Sequence, residues 1–228
     1  ARAAIAATVD VILSRSITGN SIGAKLTIPQ GTLFTDSSGN SWLSARDVIW
    51  YSNVTTCKVP IIQHERYTAS ALNNMVIPTG DRVILNLGTL PNGKYYEQGS
   101  MSLQIGGETW VLVDTFAKSK PTDKHFMVSV DEALNPYIMF GDGTFGKKPA
   151  AGAKITNVVF YLTNGTQGNV KSNTITSVPS VISSSITDAT VSNAYDAGGG
   201  SNYENFTMLK EHIPLSVKTL GVAITKED

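Results

Sequence analysis

The stretch Met101-Ser102-Leu103-Gln104-Ile105-Gly106-Gly107-Glu108-Thr109-Trp110-Val111-Leu112-Val113 sets the fold class. Met101, Leu103 and Ile105 alternate with Ser102 and Gln104, the period of two that turns apolar side chains to one face of a strand. Gly106-Gly107 supplies the permissive backbone of a tight turn, and Trp110 to Val113 returns as the second arm of a hairpin.

Further short strands are predicted on either side. Toward the N terminus they are Ala24 to Ile28, Thr32 to Thr35, Val48 to Tyr51, Val54 to Val59 and Arg82 to Leu87. Toward the C terminus come Phe126 to Val130, Tyr137 to Phe140 and Asn157 to Leu162, with Thr174 to Val178 and Val181 to Ile186 as extended Ser/Thr-rich segments. Pro29-Gln30-Gly31, Asp36 to Asn40, Pro91 to Lys94, Asn164-Gly165 and Gly168-Asn169 supply turn chemistry between them. Many short strands separated by turns predict a sandwich or a barrel-like body.

Two helices are expected at the flanks. Ile5, Val9, Ile12 and Leu13 recur at helical spacing in the Ala-rich stretch Ala1 to Leu13. Ser201-x-x-Glu204 forms a capping box ahead of Phe206, Leu209 and Ile213, and Pro214 ends the pattern, so a helix is predicted over Asn202 to His212. The fold class is therefore α+β, predominantly antiparallel β, with short helices near both ends. The expected organisation is a β-rich body over 1–60 and 137–200, discontinuous in sequence, an inserted β subdomain over 61–136, and a truncated helical segment over 201–228. Because the chain begins at Ala1 in mid-pattern and stops on Lys226-Glu227-Asp228, it reads as a piece of a longer protein.

Composition narrows the function. Apolar residues are 41% of the 228 and charged residues only 16%, below the usual quarter, with Gly, Ser, Thr and Asn in their place. Lys plus Arg and Asp plus Glu are 18 each, so the net charge is zero and no basic footprint for nucleic acid exists. Such a surface suits protein contacts. Cys57 is the sole cysteine, which excludes an internal disulfide, and His64, His125 and His212 stand at no metal-ligand spacing from it or each other. No run of 18 apolar residues and no signal peptide is present.

The densest motif is Phe140-Gly141-Asp142-Gly143-Thr144-Phe145-Gly146. A phosphate loop would require a following helix N terminus, but Lys147-Lys148-Pro149 opens none and no Ser or Thr follows the lysines. A Ca²⁺ loop through Asp142 would require alternating acidic ligands and a closing Glu. A tight β-connection in which Asp142 caps its own turn fits the residues best. Asp114, Asp123, Asp131 and Glu132 each sit beside turn residues and read as solvated turn carboxylates. No Gly-x-Ser-x-Gly elbow occurs, which leaves only a dispersed Ser–His–Asp arrangement for a hydrolase. Trp42, Trp50 and Trp110 lack basic neighbours and read as core or interface anchors.

The segment Tyr137 to Gly152, centred on that motif, resembles the signature of baseplate J-like proteins, the family that includes the large wedge protein of T4-related contractile-tailed phages. Three other pieces are similar to the family in the same order: Ile28-Pro29-Gln30-Gly31-Thr32-Leu33-Phe34, Tyr161 to Val170 with Gly165-Thr166-Gln167-Gly168-Asn169, and Gly198-Gly199-Gly200-Ser201-Asn202-Tyr203-Glu204. The Trp110 hairpin with Ser119 and Asp123 fits as well, whereas Cys57 to Gly99 matches no pattern of the family. The resemblance implies a structural component of a phage tail baseplate wedge, located in the virion and assembled in the host cytoplasm. It implies partners in the form of a homodimer and other wedge proteins across interfaces of more than about 2,000 Å². It implies no nucleic acid, no membrane, no small-molecule substrate, no cofactor, no metal and no catalytic residue. Gly31, Phe140, Gly141, Asp142, Gly143, Gly146, Gly165, Gly168, Asn169, Gly199 and Glu204 map onto its motifs as formers of backbone structure. The competing readings are a carbohydrate- or receptor-binding β module of a tail fibre, and a hydrolase with a dispersed active site.

Overall fold

The computed structural model describes residues 3–16, 25–69 and 72–204. In chain order the strands are β1 (Thr8–Ser14), β2 (Lys25–Ile28), β3 (Leu33–Asp36), β4 (Ser41–Ser44), β5 (Val48–Tyr51), β6 (Thr56–Ile62), β7 (Glu65–Thr68), β8 (Ile84–Asn86), β9 (Tyr95–Tyr96) and β10 (Ser102–Ile105). They continue with β11 (Glu108–Leu112), β12 (His125–Val130), β13 (Pro136–Phe140), β14 (Ile155–Thr163), β15 (Ile175–Ser177) and β16 (Thr190–Ser192). Among the described residues the helical content is a 3₁₀ turn at Gly165–Gly168 and one short helix, α1 (Ser180–Ser183).

These elements build two cores. A six-stranded sheet in the order β15-β3-β4-β6-β1-β16, with the separate β2–β5 pair, encloses Phe34, Trp42, Trp50, Val59 and Ile61. This sheet curls until its two ends meet at Asn193. The fully buried amide of Asn193 accepts from the N–H groups of Thr174 and Ile175 at 3.0 Å each and donates to the carbonyls of Lys171 and Tyr195 at 2.9 Å each. The second sheet runs β7-β14-β10-β11-β12-β13-β8, with β9 also on β14, and is antiparallel except where β11 meets β12. Its core is Leu103, Trp110, Phe126, Ile138, Phe140, Ile155 and Phe160, with Trp110 and Phe140 packed edge to face at 5.4 Å.

The structure is thus mostly antiparallel β with curled, barrel-like sheets. The helix expected over Ala1 to Leu13 is instead β1, which pairs along all seven residues with β6 and at its end with β16. Thr8, Val9, Val11 and Ile12 are β-branched and favour the pleated backbone, and Val11 and Leu13 alternate into the core. The helical spacing of Ile5, Val9 and Ile12 is incidental to that alternation. Val181 to Ile186, expected to be extended, instead opens with α1 behind Pro179; Ile182 and Ile186, four residues apart, are both fully buried. Of the C-terminal helix expected over Asn202 to His212, Asn202–Glu204 are not helical, and the rest lies outside the described residues. Strand pairing joins 137–163 to the sheet of residues 65–130, whereas the sequence grouped 137–163 with the N-terminal strands.

Asp36 pins the turn between β3 and β4. Its carboxylate accepts from the N–H groups of Ser38 and Asn40, the amide of Asn40 and the indole of Trp42. Burial pushes the carboxyl up, and the hydrogen bonds from Asn40, Trp42 and Ser38 outweigh it, so the folded pKa lies below the usual value. A depressed carboxyl pKa contributes stability that is complete above the unfolded value of about 3.9 and is lost as pH falls through the folded one. Asp36→Asn should therefore cost about 1–3 kcal/mol in urea unfolding at pH 7. The gap from wild type should narrow when the same titration is run below pH about 4.

Candidate functional site

The residues singled out in the sequence fall at two places in the structure. The first is the loop after β13. At Gly141 any side chain would land on the backbone of Gly146, so no other residue fits without moving the loop. Gly143 and Gly146 take positive φ, and the Gly143 N–H donates to the Gly146 carbonyl at 3.0 Å. Asp142 Oδ1 accepts from the N–H groups of Thr144 at 2.8 Å and Phe145 at 2.9 Å. The bonds from Phe145 and Thr144, with the nearby Arg82 charge adding to them, hold its carboxyl below the usual range. Phe140 is buried beneath the loop, and the Phe116 ring packs against Gly146.

Beside this loop lies a cleft of about 580 Å³. Its floor is the outer face of the sheet, where Met127, Met139 and Ile84 stand in register across β12, β13 and β8. Phe116 and Phe145 form its walls, with Arg82 and Asp142 also lining it.

The second place is the junction of the two cores, which the chain crosses at Gln63 and again at Thr163 and Asn164. The fully buried Gln63 amide oxygen accepts from the Asn164 N–H at 2.6 Å and from the Thr163 hydroxyl at 3.1 Å, and its NH₂ reaches the Ser41 carbonyl at 3.4 Å. Asn164 in turn donates to Asn40 at 2.7 Å. The two glycine-containing motifs beyond it interlock. Asn169 reads the Gly200 peptide from both sides, donating to its carbonyl at 2.9 Å and accepting from its N–H at 2.8 Å. Asn202 accepts from the N–H and the hydroxyl of Thr166 at 2.9 and 3.1 Å. A side chain at Gly165 would strike Asn202, and one at Gly200 would strike the Gly165 carbonyl. Gly168 packs against Ala7 and Gln63.

Other motif positions are less constrained. Gly31 has positive φ in the Pro29–Thr32 turn and borders a second cleft of about 430 Å³ with His64 and Tyr161. Gly199 has positive φ and open space around it, and Glu204 is exposed at the end of the described residues. Gln63 and Asn193 were missed in the sequence, and Asn164 and Asn202 were read there only as a turn residue and a motif position. Each makes at least one bond to a partner 18 or more residues away, and no local pattern announces such a pair.

One candidate catalytic pair does come together. Ser119 Oγ and His125 Nδ1 are 2.8 Å apart. Ser119 is buried, and its N–H is held by the Phe116 carbonyl. A hydrolase triad needs the serine on Nε2 and a carboxylate on Nδ1, whereas here the serine occupies Nδ1. The bond closes the loop that walls the apolar cleft. Asp123 and Asp131 accept from the backbone N–H groups of their own turns. His64 stacks on Tyr161 at 5.0 Å, with Nε2 3.8 Å from Glu97. His212 lies outside the described residues.

No protein-family model matches the chain, and no curated protein matches it. Among solved structures, the chain is similar to one in the cryo-EM structure of the anti-feeding prophage (AFP) baseplate, 6-fold symmetrised, at 13% identity and a TM-score of 0.31. The match covers 95% of this chain and 39% of that one, so this chain spans about two fifths of its length.

The junction makes two comparisons testable. Gly200→Ala should lower the thermal midpoint by several degrees, while Gly198→Ala, two residues away with open space, should leave it within about 2 °C. Gln63→Leu strands the buried Asn164 N–H and Thr163 hydroxyl and should cost about 2–4 kcal/mol in chemical unfolding, in line with one or two unpaired polar groups.

Proposed function

We propose that this chain is a structural, non-enzymatic component of a contractile-tail baseplate, acting in the virion as a scaffold that links wedges around the tail tube. The reading rests on the ordered resemblance from Ile28 through Gly141-Asp142-Gly143 to Glu204. The observation that carries it is the interlocking of the last two motif segments: Thr166 and Asn169 bond directly to Asn202 and Gly200, so segments far apart in sequence form one architectural unit. Glycines 141 and 165 hold backbone in places where a side chain has no room, so these motif positions serve backbone geometry. Its partners are further copies of itself and neighbouring wedge proteins.

The test is deletion of the coding region in the phage or prophage that carries it, followed by negative-stain microscopy of the particles. The expected result is tails that fail to assemble, or tubes and sheaths without a terminal plate. Complete plates that fail to adsorb to cells would instead assign the chain to a receptor-binding module of a tail fibre.

A further inference from the structure

The two ends of the eight-stranded sheet are treated differently. At one end β7 carries Glu65 and Arg66, and Glu65 pairs with Lys94 at 2.8 Å. Charges of this kind guard a free strand edge against pairing with other chains. At the other end β8 lies within Val83-Ile84-Leu85-Asn86-Leu87, which holds no charge and no proline. The ladder to β13 uses the Val83 carbonyl and the Leu87 N–H, so the alternation of the antiparallel pattern turns the backbone groups of Ile84 and Asn86 away from β13. The Ile84 side chain is 53% exposed, at the open end of the Met127–Met139–Ile84 row that floors the larger cleft, and Phe145 on the cleft wall is 54% exposed. Among the described residues no strand pairs with this edge, and such an edge with an apolar row running out to it makes the two halves of a strand-pairing surface.

We propose that β8 is a self-association edge and that its occupant is β8 of a second copy of this chain, joining two eight-stranded sheets across a two-fold axis. Antiparallel self-pairing centred on Leu85 sets Ile84 opposite Asn86 of the other copy and satisfies the outward N–H and C=O groups of both. It also brings the two apolar rows end to end. The cleft lining carries one cation and one anion, Arg82 and Asp142, and the chain has no net charge. A surface bearing both signs can meet its own image under a two-fold axis with opposite charges facing and no net repulsion to overcome.

The experiment is sedimentation equilibrium of the whole chain over a hundredfold concentration range, for wild type, Ile84→Lys and Val111→Lys. Val111 is as exposed as Ile84 on the same sheet but lies away from the edge, so it controls for a new lysine as such. Wild type and Val111→Lys should approach twice the mass of one chain. Ile84→Lys should stay at the single-chain mass, with its dissociation constant raised at least about 100-fold, with an unchanged circular dichroism spectrum and a melting midpoint that no longer rises with protein concentration. A monomeric wild type, or an Ile84→Lys variant that dimerises as wild type does, overturns the inference. Equal dissociation of both lysine variants overturns it as well. The baseplate role is decided separately, by the tail phenotype.

Discussion

The buried amide of Gln63 is the contact on which the arrangement of this molecule depends. The chain passes from the first core to the second beside Gln63 and returns beside Thr163 and Asn164, 100 residues later. One side chain holds both passages, accepting from the outgoing end of β14 and donating to Ser41 at the end of the neighbouring hairpin turn. A buried polar group of this kind stabilises only when its partners are all present, and it fixes one register when they are. Here the register it fixes is that of the whole inserted sheet relative to the curled six-stranded one.

Around that point the glycines act as spacers. Gly165, Gly168 and Gly200 let the return passage, Ala7 of the N-terminal segment and the Asn202 side chain approach closely. Asn169 and Asn202 then supply the hydrogen bonds that a continuous ladder would have supplied. The loop after β13 follows the same logic at the far end of the inserted sheet. There Asp142 closes the turn with its own carboxylate, and the absence of a side chain at Gly141 lets Gly146 fold back. In both places the sequence motif is an instruction about backbone shape.

What the sequence disclosed follows from how local each signal is. The hairpin of β10 and β11, and the strands β12, β13 and β14, were legible because their alternation and turns sit within a dozen residues. β1 was misread because Ala-rich composition and incidental spacing imitate a helix, and only its two neighbours, β6 and β16, decide otherwise. The sheet membership of residues 137–163 was not legible for the same reason: β13 and β14 look alike in either sheet until their partners are known. The motif glycines were visible as glycines. Gln63 and Asn193, which give them their context, were invisible, and Asn164 showed only as a turn residue, because a Gln or Asn that satisfies a distant peptide looks the same as one on the surface.

A scaffold reading makes one spatial demand, that the chain reside in the plate at the end of the tail. Immunogold labelling of purified tail particles, with antibodies raised against this chain, measures that directly. Gold is expected at the plate-bearing end, on plates with and without attached fibres, in both extended and contracted particles. Label confined to fibre tips, or particles that carry none of the chain, would contradict the scaffold reading.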